Sequence, residues 1–164
     1  MSLLTGLVGA LAVAIFAAYW LAPGLDARLT RDYLAGAAGP APLAPPGLLA
    51  ALAVSALLLA AALWGIWHAF LLFRAFRHDA QPTGAGRHVR QMGLGLVAMP
   101  LIKVAGAAAV SILMTLDRAP GTRELTVSVG LDDLVIGLTG LVLVAIGFAL
   151  TDAAAIAEEN RQFV

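Results

Sequence analysis

Four long apolar runs constrain this chain more than any other feature, because each is long enough to cross a lipid bilayer as a single helix. A hydrocarbon core of about 30 Å needs roughly 20 apolar residues. The runs cover about residues 3–22, 48–73, 92–116 and 134–150. The first carries no charge, and the second includes Trp64, Trp67 and His68. The third holds one lysine, Lys103, and one proline, Pro100, while the fourth is uncharged between Asp133 and Asp152. Such runs are too long and continuous for the core helices of a soluble domain. With 61% hydrophobic and 12% charged residues, the chain departs from the about 45–50% and about 25% of soluble domains. The expectation is an all-α membrane protein, one domain over residues 1–164, with four transmembrane helices and no separate soluble catalytic domain.

The first run reads as a retained helix and not as a cleaved signal. Met1 and Ser2 supply no Lys or Arg ahead of it, and no clean small-x-small site precedes Pro23. Orientation follows from Lys and Arg near the span ends. The connection after the second run carries Arg74, Arg77, Arg87 and Arg90 against Asp79 alone. In the other two connections Arg28, Arg31, Arg118 and Arg123 are matched by Asp26, Asp32, Asp117 and Glu124. A cytoplasmic second connection places both chain ends inside.

The outer segments have patterns of their own. Leu25, Leu29 and Tyr33 recur every four residues, as in a short helix lying in the interface. The prolines Pro40, Pro42, Pro45 and Pro46 exclude regular structure from 39–47. Leu125, Val127 and Val129 alternate with Thr126 and Ser128, which predicts a short external strand. Gly6, Ala10, Ala14 and Ala18 form a small-residue stripe on the first run, and Gly140, Gly147 and Ala154 another on the fourth. Close approach through small side chains drives helix association in lipid, either inside the bundle or in a homodimer.

Few residues carry chemistry. Lys103 lies roughly 18 Å along its helix from Gln91, near the bilayer centre, where a lysine costs about 2.5–3.5 kcal/mol. Pro100 frees the Leu96 carbonyl nearby. One reading is a polar cavity in which Lys103 receives an anionic group or balances a carboxylate; the other is a lysine that snorkels or pairs structurally with Thr139 or water. No carboxylate is expected at matching depth, since Asp132 and Asp133 fall at the outer end of the fourth run. His68, among Trp64, Trp67 and Phe70, could be a haem ligand. His78 and His88 fall in the inner connection, however, so His68 reads as part of an aromatic belt. Cysteine is absent, and no metal-ligand set, nucleophile triad or phosphate loop appears. Neither cofactor nor enzymatic activity is expected, and ten basic against ten acidic residues leave no field for direct nucleic-acid binding.

The inner face holds a complementary pair of elements. The arginine-rich connection and a helical tail over 151–164, with Asp152, Glu158 and Glu159, share one side of the membrane. They read as a weak electrostatic clasp, or as arginines anchored on anionic lipid.

Phe73-Arg74-Ala75-Phe76-Arg77, then Arg87-His88-Val89-Arg90-Gln91-Met92-Gly93, and the ending Ile156-Ala157-Glu158-Glu159-Asn160 follow a known layout. In these segments the chain resembles the YoaS-like four-helix membrane proteins of bacteria. It departs from them at Asp79 and Ala80, where that family usually has Gly, and at Gln162-Phe163, where it often has Leu-Thr. The resemblance implies four spans, no catalytic residues, and a soluble helix-turn-helix regulator as a partner at the inner face. The expected function is therefore regulatory or sensing, through Arg74, Arg77, Arg87, Arg90, Glu158 and Glu159. A small transporter, or transporter subunit, with a polar cavity at Lys103 and Pro100 is the alternative.

Overall fold

A computed structural model describes residues 2–25, 28–29, 45–78, 84–114, 127 and 129–162. Its long elements are four helices: α1 (Ser2–Leu21), α2 (Pro45–His78), α3 (Ala85–Met114) and α4 (Leu131–Gln162). Three of them, α2, α3 and α4, are long and apolar enough to cross a membrane, and α1 is the shortest. The charge-poor sequences explain why. In a helix every backbone group is satisfied within the segment, which is what an apolar surround requires.

The helices run up and down. α3 lies between α2 and α4, and α1 packs on α2. Glycines set the spacing of the central pair. A Cβ built on Gly93 would come within 2.5 Å of the Gly140 carbonyl oxygen, and one on Gly140 within 2.8 Å of that of Gly93. Seven residues along each helix the arrangement repeats, with Gly147 against the Gly86 carbonyl and the Arg90 amide nitrogen. Backbones this close gain dispersion contacts that larger side chains would prevent. The Gly140–Gly147 stripe therefore packs within the bundle. The stripe on α1 does not: Gly6, Ala10, Ala14 and Ala18 are all exposed.

Helix bounds differ from the sequence expectation at three places. α2 continues to His78 and α3 begins at Ala85, so Arg74, Arg77, Arg87 and Arg90 stand on helices and not in a loop. Pro45 and Pro46 open α2, because proline lacks only an amide that the first turn would leave unpaired anyway. The predicted strand is not formed at Val127 or Val129, which are neither helix nor strand; Leu125, Thr126 and Ser128 lie outside the described residues. The tail does continue α4, as far as Gln162.

Past α1 the chain turns at Gly24, whose φ of 79° favours glycine. Leu25, Arg28 and Leu29 are helical, and Tyr33 lies outside the described residues. Leu29 is not spread on a surface: it is fully buried with Ala51, Val54, Val110 and Met114, against Tyr19 and Trp20. Arg28 donates to the Ala22 carbonyl at 2.7 Å and sits 5.1 Å from the Tyr19 ring centroid. A cation there satisfies the open carbonyls at the end of α1.

Candidate functional site

Two polar constellations occupy the two ends of the α3–α4 contact. At one end Lys103 Nζ donates to both carboxylate oxygens of Asp133, each at 2.8 Å. The Asp133 side chain is 6% exposed and that of Lys103 45%. Asp133 also accepts the Gly130 amide at 2.8 Å, just ahead of the first residue of α4. This is the reach-back of a third-position carboxylate to a helix start, and it helps to hold the carboxylate in place toward Lys103.

The expectation that no carboxylate shares the depth of Lys103 is thus corrected. α3 runs on from Lys103 to Met114, whereas α4 begins only at Leu131. The glycine contacts hold the two antiparallel helices in a register that sets the start of α4 beside Lys103. Thr139, the other predicted partner, donates instead to the Val135 carbonyl at 2.7 Å. Beside the ion pair an apolar cavity of about 550 Å³ opens between α3 and α4, lined by Pro100, Val104, Val129, Asp133 and Gly137.

At the other end the arginines gather. Arg74 and Arg77 near the end of α2, and Arg87 near the start of α3, are exposed. Arg90 is half-buried, its guanidinium 5.1 Å from the Phe148 ring centroid of α4. Glu158 and Glu159 are exposed on α4, which continues beyond its contact with Gly86 near the same end. All six residues of the expected partner face therefore stand at one end of the bundle.

A feature that the sequence reading missed lies just within that end. His68 Nδ1 and His88 Nδ1 are 3.2 Å apart, a hydrogen bond in which one ring donates and the other accepts. His88 was expected in a connection, but it belongs to the first turn of α3 and meets α2 across the interface. The His68 ring also packs on Trp64 at 4.8 Å. Only the helical phase of residues 85–92 could have revealed this pair, since neither histidine falls in a recognisable motif. Among the described residues no group of three or more His, Asp or Glu is placed to hold a metal.

Comparison with protein-family models, curated proteins and solved structures finds no match to the chain.

Proposed function

We propose that the chain is a non-enzymatic, four-span protein of the bacterial inner membrane, YoaS-like in type. Its arginine-bearing end faces the cytoplasm and receives a soluble regulator. The supporting observation is the separation of charge. Lys103 and Asp133 are consumed by each other, while Arg74, Arg77 and Arg87 stand exposed together at the opposite end. α1 begins and α4 ends at that same end, so both ends of this chain face inward with the arginines. The fourth crossing is supplied by α1, and its outward small-residue stripe is left to lipid or to a second copy of the chain.

A helix-turn-helix regulator would meet a cationic platform flanked by Glu158 and Glu159, and its docking would be sensitive to salt. Affinity capture in mild detergent tests this. The wild-type chain should retain a co-expressed regulator of this class, and the variant with Arg74, Arg77, Arg87 and Arg90 all changed to Gln should lose it. Retention by the variant at physiological salt would place the docking surface elsewhere.

The cavity beside Pro100 and Asp133 favours one other reading, a small transporter or transporter subunit in which an anion displaces Asp133 from Lys103. That reading requires Lys103→Met to change substrate flux while the protein still inserts. Unchanged flux across a broad panel of anions and lipids would count against it.

A further inference from the structure

A second groove lies between α1 and α2, and its walls are almost wholly apolar. It has a volume of about 740 Å³ and is lined by Gly6, Gly9, Leu63, Trp64, Trp67 and Phe70. That is within the range of about 300–1,000 Å³ of small-molecule sites. Room exists because α1 presents glycines here. A Cβ on Gly6 would meet nothing within 4 Å, and one on Gly9 would only touch Leu63 at 3.8 Å.

The wall formed by α2 does not end in apolar residues. Positions four and seven apart share a helix face. Phe70 and Trp67 are therefore followed on their own face by Arg74, and Phe70 again by Arg77. Both arginines are exposed. Arg74 stands roughly 6 Å and Arg77 roughly 10 Å along the helix beyond Phe70. The groove is thus an apolar trough with two cations at one mouth. Trp64 and Trp67, each more than half exposed, line it on the α2 side.

From this geometry we infer that the groove is a binding site for an anionic glycerophospholipid, its acyl chain against Gly6, Gly9, Trp64 and Trp67 and its phosphate at Arg74 and Arg77. Charge selects this occupant over a second copy of the chain. Copies insert into a membrane with the same orientation, so a second protomer would bring its own Arg74 and Arg77 to the same depth. Like charges would then face each other. An anionic lipid instead brings an apolar chain and a negative head in the order the groove presents them. The site presupposes that the bundle spans a membrane, but not that a soluble regulator is captured.

The test uses the full chain carrying Trp20→Phe, so that Trp64 and Trp67 alone report. It is reconstituted into phosphatidylcholine bilayers doped with phosphatidylglycerol or phosphatidylcholine brominated on the acyl chain, and tryptophan quenching is followed. The brominated phosphatidylglycerol should bind about fivefold or more tightly than the brominated phosphatidylcholine. Arg74→Gln with Arg77→Gln should erase that preference while leaving quenching by phosphatidylcholine in place. Gly6→Leu, which the backbone accommodates, should fill the trough and lower quenching by both lipids. Equal quenching by the two lipids in the wild-type background, or a preference that survives loss of both arginines, would overturn the site. So would unchanged quenching in Gly6→Leu. If neither lipid quenches either tryptophan, the spanning reading falls along with the site.

Discussion

Lys103 and Asp133 show how much a single charge depends on its neighbour in a sequence so poor in charge. Each would be costly alone among apolar side chains, and the bidentate geometry with the Gly130 amide offsets that cost. Removing one partner strands the other. Lys103→Met and Asp133→Asn should each lower stability by about 1–3 kcal/mol, below the roughly 3–5 kcal/mol of a fully buried pair because Lys103 is about half exposed. The double variant Lys103→Met with Asp133→Asn should lose less than the sum of the two single losses. Denaturant unfolding in micelles followed as a double-mutant cycle measures this, and strictly additive losses would show that the two side chains do not stabilise each other. Lys103 was conspicuous in the sequence as the one charge inside its run. Its partner was not, because depth counted along α3 says nothing about where α4 starts. The same limit hid His88 behind its place next to a connection.

At the scale of the helices, the glycines decide which faces meet. Gly93→Ala or Gly140→Ala inserts a methyl group where a facing backbone already lies within 3 Å. Either should destabilise the bundle by about 1–3 kcal/mol, the usual cost of overpacking. Gly6→Ala, with open space around it, should be neutral or slightly stabilising through helix propensity. Thermal unfolding of the three variants in the same detergent checks the ranking, and an equal effect at all three positions would remove the glycines from the account of α3–α4 packing. The spans themselves were legible because hydropathy alone locates an apolar helix. The seven-residue recurrence of Gly140 and Gly147 was legible too. Its counterpart, Gly86 and Gly93, carries the same spacing but starts among polar residues, so it did not stand out. The stripe on α1 is exposed in the single chain, because in an alanine-rich helix small residues recur whether or not they meet another helix of the same bundle. The alternation of Val127 and Val129 likewise predicted a strand, yet a lone strand has little to hold it.

For the whole molecule, the consequence is polarity along the bundle axis. The Lys103–Asp133 ion pair lies at one end, and the exposed Arg74, Arg77 and Arg87 lie at the other, where any partner approaching from water would meet them. An arginine end on the cytoplasmic side is what the proposed regulator docking requires, so orientation is the most direct test. The chain has no cysteine, so single cysteines can be introduced without background. In intact spheroplasts, Ala80→Cys in the α2–α3 connection should resist a membrane-impermeant maleimide until the membrane is permeabilised, whereas Thr122→Cys in the α3–α4 connection should label at once. The reverse pattern would put the arginines outside and contradict the cytoplasmic docking surface.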